Sequence, residues 1–156
     1  MSEARQVTKE MIQKTLSYRY YIYFAVALAY FLVYFHRTST AVMATDLTAA
    51  FGIAPTAIGL FGSMYFYAYA IRQLPAGILA DKWGIRNTMS VFVLIAGAGA
   101  LLFAAAQTFT MALIARFLVG LGVGFIYVPA MKFLADWFKK NEFATYSGVL
   151  LAVGNV

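Results

Sequence analysis

Four ionisable side chains, His36, Arg37, Arg72 and Arg116, fall inside long apolar runs of this sequence. A charge at such depth costs at least about 2.5–3.5 kcal/mol and normally faces a watery or protein-lined interior. Two of the arginines share a pattern. Tyr30, Tyr34 and Arg37 recur at i, i+4 and i+7, and Tyr65, Tyr69 and Arg72 repeat that spacing, so each set forms one stripe along a helix. Facing stripes would make an aromatic pocket armed with planar guanidinium forks, which grip carboxylate or phosphate through paired hydrogen bonds. Tyr127 on a later run is a further candidate lining residue. No aspartate or glutamate lies deep in the same runs, so the cations lack an internal counter-charge and favour an anionic small-molecule ligand.

Other chemistries find little to work with. There is no cysteine, the only histidine is His36, and no carboxylates pair within an apolar run. A thiolate metal site, a disulfide framework and a nucleophile with its base are therefore missing, and neither an enzyme nor a metal or cofactor site is expected. The net charge of +6 is read as topology signals beside membrane spans rather than as a nucleic-acid surface.

These residues must be positioned by membrane helices. Apolar residues make up 63% of the 156 and charged ones 12%, which places the chain in lipid rather than water. Four spans are expected: Tyr20 to about Thr45, Ala57 to Ala80, Met89 to Ala106, and Met111 to Ala135. A fifth begins near Tyr146 and stops after GVLLAVGNV, too short to cross, so the chain is expected to be the N-terminal portion of a longer protein with further helices. Arg5, Lys9, Lys14, Arg19, Lys82, Arg86, Lys139 and Lys140 fall on the tail and on alternate links, which predicts a cytoplasmic N-terminus.

Residues 1–19 are polar and mixed in charge and read as a retained cytoplasmic tail, with 20–156 as the helix bundle. Tyr20, Tyr21 and Tyr23 suit an interfacial belt. The third span carries no charge and has small residues at Gly97 and Gly99, which predicts a position on the outside of the bundle. Lys132, four residues before Asp136, is read as snorkelling to the cytoplasmic interface.

Between the second and third spans lies GILADKWGIR, with Gly77, Asp81, Lys82, Gly84 and Arg86 at fixed offsets. Asp81 closes one helix and Arg86 opens the next, each opposing the helix dipole, so each needs a neighbour: the other, or Asp136. Gly84 permits a tight turn, and Gly77 a close helix approach. The segment resembles the signature loop of the major facilitator superfamily. The fourth span, RFLVGLGVGF, resembles that family's arginine followed by spaced glycines through Arg116, Gly120, Gly122 and Gly124. Glycines 148 and 154 resemble the start of its glycine-rich fifth helix. There are departures: Asn87 stands where many members have a further basic residue, and Arg72 where an apolar one is usual. The run YFLVYFHRTSTAVMATDL is similar to that of the organophosphate and organic-anion branches, whose central-cavity arginine would correspond to Arg37.

The resemblance implies an all-α membrane protein, with the first four helices and the start of the fifth of a half-bundle that rocks against its partner half by alternating access. It implies a secondary transporter of the plasma (inner) membrane for a small organic anion such as a sugar phosphate or carboxylate. The coupling ion or counter-solute is left open. The alternatives are a drug or cation exporter of the same fold and a non-transporting sensor or scaffold. Arg37, His36, Tyr34, Tyr30, Arg72, Tyr69, Tyr65 and Tyr127 are the expected solute site. Gly77, Asp81, Lys82, Gly84, Arg86, Asp136, Arg116, Gly120 and Gly124 are the expected gating and structural set.

Overall fold

The computed structural model describes residues 2–154, with side chains described from Ser17 onward apart from 73 and 74. Among the described residues every regular element is helical. Helix α1 (Ser2–Val42) has no break at the tail–span junction, so the expected tail and the first span share one helix. The tail's Arg5, Lys9 and Lys14 lie outside the described side chains. The first span ends at Val42 rather than near Thr45. Met43 leaves helical geometry for one residue, then α2 (Ala44–Phe51) resumes and is stopped by Gly52 at φ 60°, a left-handed cap that glycine takes without a Cβ penalty. A turn at Pro55–Ala57 leads into α3 (Ile58–Ile71), bent by 115° from α2.

Two prolines divide the spans that follow. Pro75 has no amide proton, and its ring crowds the carbonyl four residues back, that of Ile71. There α3 ends. Arg72 keeps a right-handed backbone (φ −78°, ψ −16°), and α4 (Gln73–Lys82) follows at once, with the Ala76 amide reaching the Arg72 carbonyl at 2.9 Å. Gly84, at φ 80°, turns the chain into α5 (Ile85–Ala104). Thr108 then caps α6 (Phe109–Gly124), its hydroxyl accepting from the Met111 amide at 3.3 Å. Pro129 repeats the effect of Pro75 on the Phe125 carbonyl. The Phe125 and Ile126 amides fall back on Gly122 and Val123 at 3.2 and 3.3 Å before α7 (Tyr127–Trp137) begins. Helix α8 (Lys140–Gly154) completes the described chain.

Among the described residues three helical segments are long and apolar enough to cross a membrane, Ser17–Val42, Ile85–Ala104 and Phe109–Trp137, and the bent pair Ala44–Phe51 and Pro55–Ile71 would make a fourth. Helix α6 packs between α3 and α5, while α1 lies against α3, α6, α7 and α8. Glycines make the first arrangement possible. A Cβ on Gly120 would sit 2.7 Å from the Tyr65 carbonyl oxygen in α3, and one on Gly122 would sit 2.4 Å from the Ala96 nitrogen in α5. Gly99 returns the contact, 2.8 Å from the Val119 nitrogen. Backbones that approach this closely gain packing that a side chain would prevent. Gly77 differs from expectation: nothing lies within 4 Å of its would-be Cβ, so close approach is not its role among the described residues.

The main core joins Val26, Tyr30 and Val33 of α1 to Tyr65, Val123, Phe133 and Leu150. A second cluster around Leu47, Phe61 and Ala112 closes the opposite end. Helix α5 is no more exposed than α1, since each buries 28% of its most apolar window. The uncharged third span is therefore not set apart by exposure. Helix α1 leaves a face of its own uncovered at Tyr21, Phe24, Leu28 and Phe35.

Gly122→Ala should lower the stability of the detergent-solubilised protein by about 1–3 kcal/mol, because the added methyl overpacks the α5–α6 contact. Gly148→Ala, with open space around it, should not. Thermal unfolding of both variants measures this, and equal melting temperatures would remove the glycine contact as a determinant of packing.

Candidate functional site

The two tyrosine–arginine stripes meet across a cavity of about 140 Å³ lined by Tyr30, Val33, Tyr34, Arg37, Tyr65, Phe66, Tyr69, Val123 and Tyr127. Helix α1 brings Tyr30, Tyr34 and Arg37, and α3 brings Tyr65 and Tyr69. Tyr127 stands in the first turn of α7, immediately after the Pro129-dependent break. Its ring lies 5.9 Å from that of Tyr30, and the Tyr30 and Tyr34 rings meet edge to face at 5.4 Å. The Tyr65 hydroxyl donates to the Val33 carbonyl at 3.4 Å, tying α3 to α1 behind the cavity. Arg37 leans over the Tyr34 and Phe66 rings at 5.9 and 5.7 Å and has no carboxylate partner among the described residues. Phe66, Val33 and Val123 were not expected in the wall. Phe66 and Val33 follow or precede stripe residues directly, and that adjacency was the available signal.

The remaining site candidates lie elsewhere. Arg72 is buried behind Tyr69 rather than in the wall, its guanidinium carbon 3.5 Å from the Tyr69 ring centre. The stripe spacing put it on the right face, but the α3–α4 break and the room at Gly124 turn it inward. The His36 side chain also lies outside the lining. Its ring meets Phe35 edge-on at 5.7 Å, while its carbonyl accepts from Arg116 Nη1 at 3.2 Å. Arg116 Nη2 donates to Ser39 Oγ at 3.1 Å, and its plane lies over Phe103 at 4.9 Å. Arg116, 2% exposed, thus binds α6 to α1 through neutral acceptors, with Nε left unpaired.

At the α4–α5 turn Asp81 pairs with Lys132 of α7, and neither Arg86 nor Asp136 forms an ion pair among the described residues. This corrects two expectations. Lys132 does not merely snorkel, and the cluster of Asp81 with Arg86 and Asp136 does not form. Arg86, exposed, instead borders a largely apolar groove of about 730 Å³ between α1, α5 and α7. Lys82 is exposed at the end of α4.

A further ion pair had no local sequence signal. Arg19, 7% exposed, donates through Nη1 to Glu142 Oε2 at 3.1 Å and through Nη2 to the Tyr20 hydroxyl at 2.8 Å, and it lies 4.8 Å over the Phe138 ring. Tyr23 donates to the Tyr146 carbonyl at 2.9 Å and packs against Tyr146 and Phe138. Of the three tyrosines expected in an interfacial belt, Tyr21 alone is predominantly exposed, at 75%. Tyr20 and Tyr23 join α1 to α8. The Lys139 amide, 3.3 Å away, holds the Glu142 carboxyl below the usual carboxylate range, and Arg19 adds to this.

Helices of this order, with a glycine-built α6 and an Asp81-bearing turn, match a known family over most of their length: the Major Facilitator Superfamily profile covers residues 26–156. The chain belongs to the major facilitator superfamily. It is a membrane protein of a transporter family, not an enzyme. Among relatives, the "Probable sulfoacetate transporter SauU" of Cupriavidus necator is 27% identical over 138 residues, covering 88% of this chain and 32% of its own. The "Nitrate/nitrite transporter NrtP" of Nostoc punctiforme is 30% identical over 147 residues, covering 93% and 29%. The "Probable hexose phosphate transport protein" of Chlamydia pneumoniae is 24% identical over 149 residues, covering 95% and 33%. The chain spans about a third of the length of these superfamily relatives.

Two predictions follow from the charged ends of the bundle. Lys132→Asp should reduce turnover of the complete protein in proteoliposomes, and the swap Asp81→Lys with Lys132→Asp should recover part of it. A swap no better than the single change would show that the pair does not act as one. Glu142, with its pKa depressed, contributes stability that is present above the unfolded carboxylate value and lost as pH falls through the folded one. Protection of the first-turn amides of α8 against hydrogen exchange, corrected for the intrinsic pH dependence of the rate, should therefore hold down to about pH 5 and fall below about pH 4. A loss beginning near neutrality would point to a different group.

Proposed function

We propose that this chain is the N-terminal part of a secondary transporter that carries a small anion by alternating access, with Arg37 as the solute-binding cation. The observation that carries the reading is Arg37 itself. It is a guanidinium with no carboxylate partner among the described residues, set in a small cavity whose wall holds five tyrosines. Phenol hydroxyls and a planar fork can each donate to an oxyanion, and in a partly dry site such bonds are stronger than in water. Arg72 and Arg116 add positive potential nearby, and neither has an acidic partner among the described residues. The names of the three relatives above, which mention sulfoacetate, nitrate or nitrite, and hexose phosphate, support an anion as the solute class. Basic residues on alternate links support a cytoplasmic N-terminus in the inner membrane.

The test is uptake by the complete protein in proteoliposomes, with nitrate, sulfoacetate, glucose 6-phosphate and D-glucarate set against tetraphenylphosphonium as a cationic drug probe. At least one anion should be carried. Arg37→Gln should weaken its binding about tenfold to a hundredfold, the equivalent of one charge-assisted hydrogen bond. Arg37→Lys should recover only part, because a point charge does not reproduce the fork. Lys140→Gln, at an exposed position outside the cavity, should leave affinity unchanged. Uptake of the cation alone would establish the exporter reading, and uptake of nothing would favour the sensor or scaffold.

A further inference from the structure

Arg37 and Arg72 end equivalent tyrosine stripes, yet Arg37 lines the cavity and Arg72 does not. Arg72 is 3% exposed. Its Nε donates to the Tyr69 carbonyl at 3.2 Å, and its guanidinium lies over the Tyr69 ring at 3.5 Å. The shaft is seated where the two proline breaks meet. A Cβ on Gly124, the last residue of α6, would lie 2.4 Å from Arg72 Cδ and 2.7 Å from Nε. Tyr69 in turn stacks on Tyr65 at 6.4 Å and 21° and forms part of the cavity wall.

We propose that Arg72 is a positioning residue for the anion site. It acts through Tyr69, which it clamps from behind, and it makes no contact with the solute. The attraction between a cation and an aromatic face fixes the ring, and the planar guanidinium is suited to stacking in a way that an ammonium is not. With its ring held between Arg72 and Tyr65, Tyr69 keeps one orientation toward the cavity, and an arriving anion meets an ordered wall. Gly124 belongs to the same device, because it leaves the space in which the arginine lies. This inference rests on the anion-site reading above.

The experiment is a double-mutant cycle on the complete protein in proteoliposomes. The probe is whichever of nitrate, sulfoacetate, glucose 6-phosphate and D-glucarate the wild type carries with the lowest KM. Arg72→Gln should raise KM about three- to thirtyfold, the span from an exposed to a desolvated cation–π contact, with turnover at saturation retained. Gly124→Ala should shift KM in the same direction, since its methyl displaces the arginine shaft. In a Tyr69→Leu background Arg72 has no ring to hold, and Arg72→Gln should then change KM by less than about twofold, the margin within which independent effects add. Tyr69→Met, which also lacks the ring, is the background if the leucine variant does not fold, and there too the effect of Arg72→Gln should shrink. An undiminished effect in the Tyr69 background used would mean that Arg72 meets the solute directly, and the inference would be overturned. Arg37→Gln separates the two failures. If it leaves KM unchanged, the anion site itself is misplaced. If it raises KM while Arg72 and Tyr69 remain additive, the clamp alone is refuted.

Discussion

Helix α6 can lie between α3 and α5 because it lacks side chains where the neighbouring backbones come closest. Gly120 meets the Tyr65 carbonyl and Gly122 meets the Ala96 amide at distances a Cβ could not share. In lipid, the association of helices gains little from hiding apolar surface, and packing contacts carry more of the energy. The rest of the arrangement depends on that contact. With α6 held against α3, Tyr65 reaches the Val33 carbonyl of α1, and Arg116 reaches His36 and Ser39. The cavity lies where α1, α3 and α6 converge on the start of α7.

The arginines of this bundle show how differently one side chain can be accommodated. Arg116 is held by a carbonyl and a hydroxyl with its Nε unpaired, Arg72 by a carbonyl and an aromatic face, and Arg37, among the described residues, by two aromatic rings. Among the described residues none has an anion opposite it. A buried cation without a counter-charge is costly, so the region retains a standing preference for negative charge. The two proline breaks bear on this through Arg72, which lies at the α3–α4 break against Gly124 at the end of α6.

Much of the fold was legible because its determinants are local. Apolar runs of span length and the turn glycine at 84 act within a few residues of where they stand, and the spaced glycines of α6 are visible as a local pattern although the backbones they meet belong to α3 and α5. The stripes of Tyr30, Tyr34 and Arg37 and of Tyr65 and Tyr69 were legible for the same reason, since helical phase is a short-range property. What could not be read was pairing across the bundle. Asp81 with Lys132 and Arg19 with Glu142 are separated by 51 and 123 residues, and nothing in the neighbourhood of either partner identifies the other. Arg72 shows a third kind of limit. Its phase was correct, but the side chain follows a space created by Gly124 on another helix. Gly77 is the converse, a glycine whose type suggested a contact that its surroundings do not make.

The separation of 123 positions between Arg19 and Glu142 also orders events in time. A chain is made from its N-terminus, at roughly 5–20 residues per second, so α1 is complete well before Glu142 has been synthesised. Until then Arg19 has its neighbour Tyr20, with water or lipid headgroups, in place of Glu142. The contacts of α6 with α3 and α5 use only residues up to Gly124 and need not wait. The link between Arg19 and Glu142 is thus one that no chain shorter than 142 residues can close, whereas the residues of the α6 contacts all precede it.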